Sequence, residues 1–432
     1  MALKRKSMYG LEIEMFTLNE EGKLVNGAPD ILEAVKGKRI EKYVRKELSK
    51  CMVELGAKEK RSIKECGFAF LENLQELVEL AEGIGYRLLP LGCHPGREMP
   101  GLHTNSWYDA KKAVLGKDVV KEGRISGFHF HYTLPEGIVQ KKTEMIKRVG
   151  RSKTVNTFIH QYNFLGACDP AILTFCQSTP IWMGFNWAKD SRVLVYRDLK
   201  VTKNGDSLRG IHYYLPMFGS FSGYEYTLED IRVMADQRKT EWLKLLEQAN
   251  YPTNEIAGFP TLKFMWGPLR VNKIGTYEYR GPDMNHPPVI FASSRLLYHA
   301  LKAIEKKQLN VVPSDIGIEE PFVVEDGNIY IPPHATLRNL ERQSVINGFD
   351  SDWVHSYCSA LYSLVAKLTR RKVPYLKKML DERKTVSDEI LEMVKKNGYD
   401  TDKEIPEDML NHVALYHANR LSAEIKNTRK IL

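Results

Sequence analysis

The sequence predicts an α+β fold, with one catalytic-sized domain of sheet and helix followed by a helical C-terminal region. Three observations carry this. Tyr9–Phe16 alternates apolar and charged residues over a strand's length. The same alternation recurs at 127–132 and 275–280, in each case with a bulky face opposite an i, i+2 pair of chemically capable side chains. From Thr336 onward the apolar spacing is almost entirely helical, with breaks near Gly348, Pro374, Gly398 and Pro406. The expected division is a catalytic domain over 1–348 and a helical region over 349–432 packed on it.

The first stretch, Tyr-Gly-Leu-Glu-Ile-Glu-Met-Phe, puts Leu11, Ile13 and Met15 on one face and Glu12 and Glu14 on the other, because side chains alternate along a strand. Two rises of a strand set the carboxylates roughly 7 Å apart. Like charges that close repel unless something positive lies between them. A turn at Asn19–Gly22 follows, then a short helix at Ile31–Ala34 and a strand at Met52–Leu55 that adds Glu54 to the acidic surface. Cys66–Ala81 has a broad helical apolar face closed by Gly83 and Gly85, and Tyr86–Leu91 reads as a buried strand. His94 sits in the turn after it, and a short helix is expected near Tyr108–Leu115.

Gly127–Tyr132 sets His129 and His131 on one face and aromatic residues on the other. Residues 154–179 read as two packed helices broken near Asp169-Pro170, and 183–225 as a loop-rich stretch bearing Arg192 and Arg197. Leu228–Ala249 is helical, with Thr227 as N-cap and Asp230 three residues on. Phe264–Trp266 is a short strand, Gly267–Lys273 a turn bearing Arg270, and 275–280 a strand with Thr276, Glu278 and Arg280 on one face. A long helix over Pro287–Lys306 and a hairpin turning at Glu325–Asn328 complete the order.

If the three alternating strands lie in one sheet, their polar faces merge into a surface of Glu12, Glu14, His129, His131, Glu278 and Arg280. Glutamates with a histidine suit hard divalent ions such as Mg²⁺ or Mn²⁺, which commonly bridge nucleotide phosphates. Arg280 beside them would stabilise charge on a transferring phosphoryl group. The chain has neither a G-x-x-x-x-G-K-[ST] loop nor a G-x-G-x-x-G fingerprint, so any ATP must be held by metals and a sheet.

The bulk properties agree. The formal net charge of +9 suits anionic small substrates, and the excess is scattered, with Lys4-Arg5-Lys6 at one end and Arg370-Arg371-Lys372 with Lys377-Lys378 near the other. No aromatic-interleaved basic motif is present, which argues against nucleic acid. No apolar run approaches the roughly 18 residues of a membrane span. The N-terminus leads straight into a strand without room for a signal peptide, so the expected location is cytoplasmic. The six cysteines form no Cys-x-x-Cys pair, and reduced, buried thiols are expected.

Gly10-Leu11-Glu12-Ile13-Glu14, Met52-Val53-Glu54-Leu55, Ile125-Ser126-Gly127-Phe128-His129, Trp266-Gly267-Pro268-Leu269-Arg270 and Gly275–Arg280 occur in that order. The order resembles that of the glutamate–cysteine ligases, most closely their compact carboxylate–amine ligase branch, from about residue 8 to 285. The resemblance implies a glutamine-synthetase-like catalytic fold with a curved, mainly antiparallel sheet and outer helices. It implies ATP-dependent amide formation through a γ-glutamyl phosphate, with ATP, glutamate or a similar carboxylate, and an amine or amino acid as partners. By motif, Glu12, Glu14, Glu54, His129 and Glu278 would be metal ligands. Arg280 would face the phosphoryl group, with Thr276 beside the nucleotide and Glu278 also in a catalytic role. Ser178 in the Ser178-Thr179-Pro180 segment, Arg192, Arg197, His131 and Arg270 would contact substrates. The loop after Trp266 lacks the family's frequent aspartate, there is no histidine near Lys273, and Arg338–Gly348 follows the arginine-rich helix only loosely. These departures leave the amine acceptor open.

Two other readings of the same residues stand beside this one. His129, His131 and Glu278 could form a cupin-like transition-metal site. A non-catalytic ligase homologue could serve as a binding subunit. A homo-oligomer is compatible with the sequence but not specified by it.

Overall fold

The computed structural model describes residues 7–140, 142–148, 150 and 152–432; the basic run Lys4–Lys6 lies outside them. Its centre is a seven-stranded sheet in the order Leu269–Asn272, Thr276–Tyr279, Phe128–Thr133, Tyr9–Leu18, Met52–Gly56, Val44–Lys46, with Arg87–Leu89 paired to the far end of the first strand. Every pairing in it is antiparallel.

The first strand is central because its apolar face is buried as predicted: Leu11, Ile13 and Met15 are at most 1% exposed. The Ile63–Gly83 and Pro287–Lys307 helices pack against this sheet. The first of them starts at Ser62, whose side chain accepts from the Glu65 N–H. Register is fixed by this burial, since a slip of one residue would turn every glutamate into the core.

Three local expectations are corrected. Residues 153–175 form one helix with Pro170 inside it, not two. Proline removes an intrahelical donor, yet this helix is buried along most of its length and tied to its neighbours. The Thr174 and Ser344 hydroxyls both donate to the Pro170 carbonyl, and the Tyr357 hydroxyl donates to Ala167. Packing therefore overrides the breaker. The stretch expected as loop contains a short helix, Ser191–Tyr196, capped by the Asp190 side chain, and a hairpin at Lys200–Arg209. Phe264–Trp266 is no strand: a 3₁₀ turn, Thr261–Phe264, precedes it, and the strand is Leu269–Asn272, inside the expected turn. Its backbone pairs with Thr276–Tyr279 around Gly275, at φ 86°.

Other elements follow the sequence. Thr227 and Asp230 make a reciprocal capping box on Leu228–Gln248. Asp326 and Gly327 both have positive φ between paired strands, as a two-residue hairpin turn requires. Beyond 348 the helices Asp352–Thr369, Pro374–Glu382, Val386–Lys396 and Glu407–Ile431 follow. They share one hydrophobic core with the sheet. Arg97 ties down the start of the last helix through Glu407 at 2.7 Å and the segment before it through Glu404 at 2.6 Å. All six cysteines are buried and unbridged. No helix among the described residues is long and apolar enough to cross a membrane.

Candidate active site

Strand register brings the polar residues together. Glu12 stands opposite His129, Glu14 opposite Glu54, and His131 between Gly10 and Glu278, which in turn faces Arg270. Five strands thus deliver one acidic and imidazole-bearing face, made of residues that alternate with the buried apolar ones.

At its centre is His129, 3% exposed. Its Nε2 lies 3.5 Å from Glu14, and its Nδ1 lies 3.7 Å from Glu12 and 3.8 Å from Glu278. Neither ring nitrogen has a hydrogen-bond partner. Buried polar atoms are rarely left so, and these two point among carboxylates.

Two groups among the described residues place ligand atoms within 4.8 Å of one another: Glu12, Glu54 and His129, and Glu14, Glu47 and Glu54. Glu54 belongs to both. A carboxylate-rich set with one imidazole fits a hard divalent cation. The electrostatics point the same way. Burial, then Glu47, Glu12 and Glu14, push the Glu54 carboxyl well above its usual range, with Arg45 opposing. Burial and the Glu14 charge push Glu47 up to about 7. Burial would also raise Glu12, but the His129 and His131 imidazoles overcome it and hold that carboxyl well below the usual range. Arg45, largely exposed, reaches Glu12 at 3.6 Å and Glu54 at 3.5 Å.

Glu278 stands apart from both ligand groups. It accepts two bonds from Arg270, at 2.7 and 2.9 Å, one from Asn272 and one from Arg280 at 3.3 Å. Burial would raise its carboxyl, but Arg270 and Arg280 hold it well below the usual range. Its oxygens are thus engaged by guanidinium and amide donors, while one of them also lies 3.8 Å from His129 Nδ1. His131 is likewise engaged, with Nδ1 3.0 Å from the Thr276 hydroxyl and Nε2 3.2 Å from Glu12. His129, His131 and Glu278 therefore do not assemble as a trio of free ligands, against the cupin-like reading. Thr276, expected beside a nucleotide, orients His131.

A cleft of about 70 Å³ adjoins the carboxylates, lined among others by Glu14, Glu47, Arg192, Tyr196, Trp266 and Arg280. Arg192 donates to the Gly281 carbonyl at 2.7 Å, while its buried Nε has no partner. Gly127 permits this approach: a Cβ there would sit 2.5 Å from an Arg192 nitrogen. The Gly127 N–H also fixes Glu14 by donating to it at 2.8 Å. Arg197 lines the cleft too, but its guanidinium is fully buried between Asp169 and Glu341, 3.1 Å from the latter, and the Tyr279 hydroxyl donates to Asp169. It holds helices together. Ser178 donates to the Met284 carbonyl at 2.8 Å and accepts from the Gly92 N–H at 3.0 Å.

The sequence reading did not single out Glu47, Arg45 or Gly127, which the structure sets beside the carboxylates. Glu47 follows the strand Val44–Lys46 outside any alternating pattern. Only its nearness to the Glu54 strand could have signalled it.

The description of glutamate–cysteine ligase family 2 matches residues 8–242, a span that holds Glu12, Glu14, Glu47, Glu54 and His129 but ends before Glu278. A Jannaschia sp. (strain CCS1) protein, provisionally assigned as glutamate–cysteine ligase 2, is 27% identical over 253 residues, 57% of this chain and 59% of that one. The matched stretch thus spans under two thirds of that relative. Among solved structures, glutamate–cysteine ligase from Francisella tularensis in complex with AMP superposes with a TM-score of 0.59 at 11% identity, covering 99% of this chain and 92% of the other. A bifunctional glutathione synthetase from Pasteurella multocida gives 0.55 at 14% identity, covering 97% of this chain and 52% of that one. At these identities the likeness is one of fold.

Proposed function

The chain belongs to glutamate–cysteine ligase family 2, and from that premise we propose that it is an ATP-dependent carboxylate–amine ligase of glutamate–cysteine ligase type, forming an amide through a γ-glutamyl phosphate. The observation that supports this most is His129: a buried imidazole with two unpartnered nitrogens, set among Glu12, Glu14, Glu54 and Glu278, with Glu47 joined to Glu14 and Glu54 beyond it.

The chemistry asked of the site is as follows. A carboxylate resists attack by an amine because its leaving group is oxide. Transfer of the γ-phosphoryl group of ATP to a carboxylate oxygen releases ADP and creates an acyl phosphate. The amine nitrogen then bonds to the acyl carbon, the carbon–oxygen bond to phosphate breaks, and the nitrogen loses a proton. Glu12, Glu54 and His129, with Glu14 and Glu47, would hold Mg²⁺ or Mn²⁺. When bound, such ions neutralise phosphate charge and orient the phosphoryl group.

The chain's own groups do the positioning. Arg280, anchored by Glu278 and lining the cleft, sets a fixed positive charge against the phosphoryl oxygens. Arg192, held by Gly281, offers its remaining guanidinium donors to a substrate carboxylate. Arg270 and Asn272 face a second cavity of about 370 Å³, also lined by Phe259, Leu262, Lys263 and Lys273. Glu144 lines it as well, paired with Lys273 at 3.1 Å; its size and its apolar and mainly cationic walls suit a nucleotide.

The test is ADP and phosphate release from ATP and Mg²⁺ with glutamate and a panel of amines and amino acids, with products identified by mass. Release that depends on one carboxylate and one amine, with an amide product, supports the reading and names the acceptor. Absence of ADP with every pair overturns it.

A further inference from the structure

The Pro287–Lys307 helix carries Phe291, Arg295, His299 and Lys302 at spacings of four, four and three residues, which places them on one face. Against the start of this face lies a groove of about 490 Å³, walled chiefly by Phe291, Ala292, Val373, Tyr375 and Leu432. Arg295, Lys372 and Lys378 stand at its rim. Lys378 has Glu382 at 3.9 Å. The others are surrounded differently. The ionisable groups acting on Arg295 are Arg371 and Tyr9, and those acting on His299 are Arg371, Arg295 and Lys302. No carboxylate is among them. Burial and these cations push the His299 imidazole down to about 4.

Such a gathering of like charges is unfavourable unless an anion answers it. The basic run Arg370–Lys372 is thus partly turned to a built feature. A wholly polar anion would leave the apolar walls uncovered. A flat bilayer would not reach them either, because Phe291 and Val373, each 2% exposed, are recessed.

We propose that this groove binds a free, single-chain anionic amphiphile, with its hydrocarbon tail along Phe291, Ala292 and Tyr375 and its carboxylate or phosphate head against Arg295, Arg371 and Lys372. The site is separate from the carboxylate cluster and independent of the ligase reading.

Calorimetric titration of the full chain tests it, using dodecanoate below its micelle concentration, dodecanol, inorganic phosphate and phosphatidylglycerol vesicles. Saturable one-to-one binding of dodecanoate is expected, at least about tenfold tighter than dodecanol, with no binding of phosphate or vesicles. The double variant R371Q/K372Q, altered at two exposed positions, should bind dodecanoate at least about tenfold more weakly while melting as the parent does. No saturable dodecanoate binding, equal binding of dodecanol, undiminished affinity in the variant, or binding of vesicles or phosphate alone would each overturn the proposal.

Discussion

Glu14 and Glu54 face each other directly across neighbouring antiparallel strands, and Glu54 is shared by both candidate cation groups. Glu54→Gln should therefore weaken Mn²⁺ binding at both groups and lower any turnover by about a hundredfold or more. The same change relieves carboxylate crowding in the metal-free protein. Its melting temperature without metal should rise by about 1–2 °C, and added Mg²⁺ should raise it less than it raises the parent. Titration calorimetry and melting curves with and without EDTA check both signs.

Arg270→Ala should be costly to the fold. It removes two of the hydrogen bonds that hold the buried Glu278 carboxylate, and breaking such a pair typically costs about 3–5 kcal/mol. Arg270→Lys keeps the charge but loses the bidentate geometry, and should fall between. Urea unfolding of the three proteins gives the order.

Tyr279→Phe removes the hydroxyl that donates to Asp169 at 2.8 Å, and should cost about 1 kcal/mol. Arg197→Met leaves Asp169 buried without its cation and Glu341 paired with Arg338 alone, and should cost several times as much, with little soluble protein recovered. A milder loss than Tyr279→Phe would show that Arg197 is not the keystone of that cluster.

Gly127→Ala should disable the site while sparing the fold. The added methyl meets Arg192 at 2.5 Å and the Pro282 carbonyl at 3.0 Å, so Arg192 must move. A large rise in KM for the carboxylate substrate is expected, with unfolding midpoints nearly unchanged.

Stability should fall in acid. Burial pushes the imidazoles of His94 and His212 down to about 4 and that of His417 to about 3, and it lowers His286 as well, with His417 adding to the effect. The unfolded chain takes up these protons near pH 6.5 and the folded one does not, so the contribution is whole above that pH. It is lost as pH falls from about 6.5 toward 4, at up to about 1.4 kcal/mol per unit for each histidine. Urea midpoints at pH 7, 6 and 5 should decline, and His417→Leu should flatten the slope.

Period-two alternation made most of the sheet face legible, because burial of one side of each strand dictates what the other presents. Glu12, Glu14, Glu54 and His129 were found this way. What alternation cannot supply is who pairs with whom. Glu278 and Arg270 read as independent site residues until the hairpin register set them face to face. Arg197 read as a free loop cation because its partners, Asp169 and Glu341, are distant in sequence. Pro170 misled for a related reason: the Ser344 and Tyr357 hydroxyls that tie its helix to the core come from helices far along the chain.

The central position of the first strand has a consequence for how the protein is made. Tyr9–Leu18 takes partners from Met52–Gly56 on one side and Phe128–Thr133 on the other, and the latter is flanked in turn by Thr276–Tyr279. Loop closures of this length are slow. A nascent chain cannot pair the Phe128–Thr133 side of Tyr9–Leu18 until more than a hundred residues have followed that strand, which leaves an open strand edge for a chaperone to cover during synthesis.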